Sequence, residues 1–205
     1  ILASVIFGLC SLLSISQGAD LEQMDSDLAK QYGKHIAELF AKDLKDTAVK
    51  FDVDAESARG LHADQEGILI VPMKGLKEDQ IDPNVETENG AGLCYLFLSP
   101  TYQPHVDGKP IPSEQLLSVK FTDSEGNSHE ALAMIVTVKH ESGDDWRLYV
   151  FGKDKTPLIK APFGGSAGTA KGIVDISVDS PKDGKANLTF TIVGRYSASF
   201  PITAK

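Results

Sequence analysis

Gly164-Gly165-Ser166-Ala167-Gly168 is the closest local match in the chain to a catalytic device, the Gly-x-Ser-x-Gly elbow that exposes a nucleophilic serine between a strand and a helix. The device needs a histidine later in the chain to take the serine proton, and no histidine follows Ser166. A strand, not a helix, is expected to begin near Ile173. The match is therefore ascribed to a glycine-rich segment and not to a nucleophile. A phosphate loop fails in the same region, because Lys171 stands between alanine and glycine and the next element is again a strand.

Potential metal ligands gather at one turn, where Asp123, Glu125, Asn127, His129 and Glu130 surround Gly126. A calcium loop of the EF-hand type wants its glycine sixth and a distant glutamate, whereas Gly126 is fourth from Asp123, so a solvated turn is expected. His62, His105, His129 and His140 share no metal-ligand spacing, and a zinc site would need ligands converging from separate loops. No metal, cofactor or catalytic residue is assigned. A carboxylate pair for glycoside hydrolysis would have to meet across the fold, and the adjacent Asp144 and Asp145 sit at a turn facing water. The polar loop residues Tyr102, His105 and Asp107 are taken as the candidate binding surface. Asn187-Leu188-Thr189 matches a glycosylation sequon but falls in an expected strand, and it matters only in a host that glycosylates.

Charge narrows the partners. The 205 residues carry a formal net charge of −9, which disfavours a surface built to neutralise nucleic-acid phosphates or anionic lipids. A protein partner is expected to use a sheet edge or the N-terminal helix. Residues Ile1 to Ala19 carry no charge, are mostly apolar to Leu13 and then turn small and polar, so residues 1–18 are expected to be a signal peptide cut after Gly18. Export to the periplasm, cell surface or medium follows from that expectation, with no stable membrane insertion after processing. Leu9 precedes Cys10 where a lipoprotein wants a small residue, and processing would leave Cys94 as the single cysteine, expected to be a buried hydrophobe within LCYLFL.

The elements that would position any site start with a helix. Leu21, Met24, Leu28, Tyr32, Ile36, Leu39, Phe40 and Leu44 step by three or four, which predicts an amphipathic helix within residues 20–46. Gly33 is expected to weaken or bend it by roughly 1 kcal/mol relative to alanine. A hydrophobic leader, an amphipathic helix and then strands is similar in layout to type IV pilins. The similarity stops there, because no acidic residue precedes Asp20.

Residues 47–205 are expected to form a β-rich domain. Val49, Phe51 and Val53 alternate as a half-exposed strand, and a polar loop is expected from Ala55 to Glu66. Ile68 to Val71 and Leu93 to Leu98 are continuous apolar runs suited to strands covered on both faces. An acidic connection containing Glu78, Asp79, Asp82, Glu86 and Glu88 joins them, and Ser99 to Ser113, with four prolines, is expected to be a loop.

Glu130 to Gly152 predicts a β-hairpin. A three-residue loop at 141–143 would set Val138 opposite Trp146, Val136 opposite Leu148 and Lys139 opposite Asp145. Leu117, Val119 and Phe121 would extend it into a meander through a Gly126-Asn127 turn, with Phe121 opposite Leu132. The apolar face of that meander needs either the helix or a second sheet. Residues 161–172 are the candidate internal boundary. After them, Val174–Val178, Leu188–Ile192 and Tyr196–Ile202 alternate, the last two joined by a bend or a three-residue loop at Gly194. The fold class expected is α+β, mostly β: an N-terminal amphipathic helix and a largely antiparallel, β-sandwich-like domain. The function expected is an exported, non-enzymatic binding or structural module, the alternative being an exported hydrolase with acid and base residues on loops.

Overall fold

Period-two alternation sorts the longest apolar runs between two faces of one sheet. The structure, a computed structural model, describes residues 21–44, 47–64, 66–77, 88–122, 126–165, 172–179 and 184–204. Its strands are β1 (Glu22–Gln23), β2 (Arg59–Ala63), β3 (Glu66–Pro72), β4 (Ala91–Leu98), β5 (Tyr102–Val106), β6 (Lys109–Pro110), β7 (Leu117–Thr122), β8 (Ser128–Ser142), β9 (Asp145–Phe151), β10 (Ile159–Pro162), β11 (Gly164–Gly165), β12 (Val174–Val178), β13 (Lys185–Ile192) and β14 (Tyr196–Ala204). One sheet runs β1-β2-β3-β4-β8-β9-β10, with β7 also on β8; the other runs β12-β13-β14-β5-β6, with β11 also on β14. The fold is mostly antiparallel β, in two sheets, with the helix α1 (Ser26–Asp43) ahead of most strands.

In β3 and β4, Leu69, Val71, Tyr95 and Phe97 point to a core shared with α1, while Ile68, Ile70, Cys94, Leu96 and Leu98 point to a core shared with the second sheet. The continuous runs are thus covered on both faces, as expected. The second sheet contributes Val174, Ile176, Leu188, Phe190, Ile192, Ala198, Phe200 and Ile202 to that common core, and its intervening positions are less buried. β8 and β9 divide in the same way, with Val136, Val138, Leu148 and Val150 toward the second sheet and Ala133, Ile135, Tyr149 and Phe151 toward α1. Helix and second sheet were the two candidate covers for the hairpin, and each covers one face.

The helix is shorter than its apolar stripe. Asp25 caps it, accepting from the Asp27 and Leu28 backbone N–H groups at 2.9 and 3.2 Å, and Glu22–Gln23 pair with Leu61 and His62 instead of joining it. A Cβ placed at Gly33 would stand 2.7 Å from Ala58 Cβ, so this glycine lets the helix lie close to the sheet layer.

Several expectations are corrected. The alternation at Val49–Val53 does not make a strand, and only Val53 bridges, to Met73. The Tyr95 hydroxyl takes the Phe51 backbone instead, donating to its carbonyl at 2.7 Å and accepting its N–H at 3.3 Å. The segment expected as a polar loop, Ala55–Glu66, holds β2, and the proline-rich segment holds the β5–β6 hairpin. Pro104 is tolerated in β5 as a residue that needs only to accept, which its carbonyl does from Ile111 N–H at 2.8 Å. The acidic connection lies largely outside the described residues.

The β8–β9 hairpin keeps the predicted faces but slips by two residues. Val138 opposes Leu148, Val136 opposes Val150 and Lys139 opposes Arg147, because a two-residue turn at Gly143-Asp144 is followed by a bulge between His140 and Ser142. Gly143 takes φ 54 there. The β7–β8 register shifts by an odd number: Phe121 opposes His129 and Val119 opposes Ala131, which turns β7 to the helix side and not to the Leu132 side. The expected turn at Gly126-Asn127 is part of a longer connection, and that one change alters which side chains meet α1. At Gly194 the three-residue alternative is the one formed, Ile192 pairing with Tyr196.

Candidate functional site

The apolar stripe of α1 is used in two ways along its length. Toward the C-terminus Ile36, Ala37, Phe40 and Leu44 are buried on the sheet, Phe40 meeting Tyr95 and Phe97 edge-on at 5.0 and 5.3 Å. Toward the N-terminus Leu28 and Tyr32, with Met24 just ahead of the helix, are only half-buried. They overhang an open cleft of about 400 Å³ whose other walls are β3, the end of β4, Phe121 of β7 and Ser128–Ala131 of β8. That volume lies within the range of roughly 300–1,000 Å³ typical of small-ligand sites.

Sequence position explains the opening. Met24 is fixed over β2 by its own N–H to Gly60 O at 2.8 Å, so the chain enters the helix already tied to the sheet. Below the stripe stand the small residues Ala131 and Gly67, and the Met24 methyl lies over Gly67, 3.7 Å from where a Cβ would stand. Phe121 forms one side wall, stacked on His129 at 5.4 Å and edge-on to His35 at 6.2 Å. Polar groups sit around the mouth: His62, Asp64, Glu66, Ser99 and Glu130. Ser99 is committed to structure, its hydroxyl accepting the Gly67 N–H at 2.9 Å.

The residues expected to form a binding surface are placed elsewhere. Tyr102 is buried in the core between the sheets, and burial, then the negative charges of Glu66 and Asp64, push its phenol up to about 12. His105 is on the alternate face of β5, its Nε2 3.0 Å from Thr203 Oγ1. Asp107 is exposed in the β5–β6 turn with φ 50. The structure does not bring the three together, because Tyr102 and His105 have opposite parity on one strand. Tyr102 is nevertheless close enough to the cleft mouth to feel Glu66 and Asp64.

Ser166, Asp123 and Glu125 lie outside the described residues. Among the described residues, no group of three or more His, Cys, Asp or Glu side chains is arranged to hold a metal ion. Cys94 is buried and free, and burial drives its thiol pKa far above the usual range. The sequence reading missed the cleft because the stripe on α1 looks uniform, and because the wrong parity for β7 sent Phe121 away from the helix. Among the described residues, no helix is long and apolar enough to cross a membrane. No protein-family model, curated protein or solved structure matches the chain.

Proposed function

We propose that the protein is a non-enzymatic binding module, a β-sandwich carrying the helix α1, whose site is the cleft between α1 and the first sheet. The observation that carries this is the half-buried state of Met24, Leu28 and Tyr32 above Leu69, Phe97 and Ala131. Burying an apolar side chain is worth about 1.5–3 kcal/mol, so a stripe left partly open forgoes stability that an apolar ligand recovers on binding. The polar groups at the mouth would orient such a ligand. A neutral apolar fluorophore, N-phenyl-1-naphthylamine, tests the site: it should brighten on binding the protein. Leu28→Glu, at a position that is only partly buried, should weaken that binding about tenfold while leaving the melting temperature within a few degrees. Undiminished binding by a folded Leu28→Glu protein would refute the assignment.

Export to the periplasm or cell surface is part of the same proposal and is supported by the uncharged apolar stretch Ile1 to Ala19. Intact mass of protein recovered from the envelope or medium should show loss of residues 1–18; a retained leader would count against it.

A further inference from the structure

One wall of the cleft is open strand edge. β4 pairs with β8 as far as Leu98 opposite Leu132 and then departs, Ser99 N–H going to Gly67 O at 2.9 Å and Ser99 O accepting Tyr102 N–H at 2.9 Å. β8 continues through Ala131 to Ser128, paired there with β7. Leu132 and Ala133 pair with both β4 and β7, so those two neighbours lie on opposite sides of β8. Among the described residues, no strand pairs with Ser128–Ala131 on the side that β4 has left.

Antiparallel residues alternate in the neighbour that their N–H and C=O address. Ser99 addresses β3, so Leu98 addresses β8 and Leu132 answers it. Two and four residues on, Glu130 and Ser128 therefore turn their backbone groups to the vacated side, and both residues are exposed. Side chains alternate too. His129 and Ala131 belong to the helix side, with Phe121 and the half-buried stripe. Glu130 shares the other side with Glu66, whose neighbours of like parity, Ile68 and Ile70, point to the inter-sheet core. The cleft lining contains Asp64, Glu66 and Glu130 and no lysine or arginine, although Lys120, opposite Glu130 on β7, offsets part of that charge.

We infer that this vacated position receives an extended peptide segment, which adds a short strand to β8 with a large apolar side chain opposite His129 and a basic side chain opposite Glu130. Main-chain bonds to Glu130 and Ser128 supply a sequence-independent part of the affinity. The apolar side chain enters the cleft, and the acidic mouth selects for the basic one. The inference rests on the binding reading above but asks more of the site. An apolar ligand needs only the cleft; a peptide needs the edge as well.

The test uses the full chain and a fluorescein-labelled decapeptide of alternating lysine and leucine, followed by fluorescence anisotropy. In the inferred register the lysines form the hydrogen-bonded pairs with Glu130 and Ser128. N-methylating the lysine residues should therefore weaken binding about tenfold or more, and N-methylating the leucines should leave it nearly unchanged. Equal effects of the two methylation patterns, or a larger effect at leucine, overturn the inference. Binding of N-phenyl-1-naphthylamine without peptide binding overturns it while the cleft reading stands; failure of both probes removes both.

Discussion

Replacing Gly33 by alanine sets two known effects against each other, and the structure decides the sign. In an isolated helix the change stabilises by about 1 kcal/mol, because glycine has more backbone freedom to lose. Here the new methyl carbon would stand 2.7 Å from Ala58 Cβ and 3.4 Å from Val71 Cγ2, against a comfortable carbon separation of about 3.5–4.0 Å. Ala58 and Val71 are fully buried and are not flexible side-chain ends that can swing aside. Forcing a methyl group into such packing costs about 1–3 kcal/mol, so the net effect should be a loss of about 1 kcal/mol. Urea unfolding should show a lower midpoint at unchanged slope. Ala58→Gly in the same chain removes the clashing carbon, so the double mutant should show a favourable coupling of at least about 0.5 kcal/mol. A Gly33→Ala protein more stable by the full helix-propensity gain, with no coupling to Ala58, would refute the close approach of α1 and with it the cleft geometry.

Leu148→Asp exchanges a fully buried side chain between the two sheets for a carboxylate without a partner; it should cost at least about 3 kcal/mol, and an unchanged melting temperature would show that β9 is facing the wrong way. Tyr102 gives a pH test. Its phenol titrates near 10 in the unfolded chain and at about 12 in the native one, so above pH 10 the unfolded state has released a proton that the native state still holds. Stability attributable to Tyr102 is therefore intact below pH 10 and falls as pH rises toward 12, by about 1.36 kcal/mol per unit relative to Tyr102→Phe. Parallel pH profiles of the two proteins between 10 and 12 would contradict the burial of this phenol beside Glu66 and Asp64.

What could be foreseen from the sequence follows from whether a residue's role depends on its immediate neighbours. Ile68–Val71 and Leu93–Leu98 read as strands covered twice because four and six apolar residues in a row leave a strand no solvent face. Val136, Val138, Leu148 and Val150 were placed on one face because alternation survives a slip of two residues. The same slip changed every cross-strand partner, since it combines a turn moved to Gly143-Asp144 with one extra residue bulged at Glu141, neither of which a hydrophobic pattern records. β7 fared worse because the slip there is odd. Val49, Phe51 and Val53 alternate like a strand yet serve a different purpose: the Tyr95 hydroxyl binds the Phe51 backbone and the rings stack at 4.5 Å, a contact made from 44 residues away. Tyr102, His105 and Asp107 are neighbours in a proline-rich stretch, and once β5 forms there, parity separates Tyr102 from His105 while Asp107 falls in the turn beyond the strand.

The candidate site has the same origin as the failed register. β8 is 15 residues long, whereas β4 has 8, β7 has 6 and β9 has 7. One flank of β8 is therefore served by two shorter strands in succession, β9 along Ile135–Ser142 and β7 along Ser128–Ala133. Among the described residues the other flank has β4 alone, and β4 does not reach the end. A strand that outruns its neighbour must leave backbone donors and acceptors to water, or to something that takes the neighbour's place. The helix does not close over that end: its apolar stripe is only half-buried at Leu28 and Tyr32, while the tight approach is made at Gly33. The open edge and the half-buried stripe thus fall at the same end of the sheet, so a single extended, apolar occupant would satisfy both.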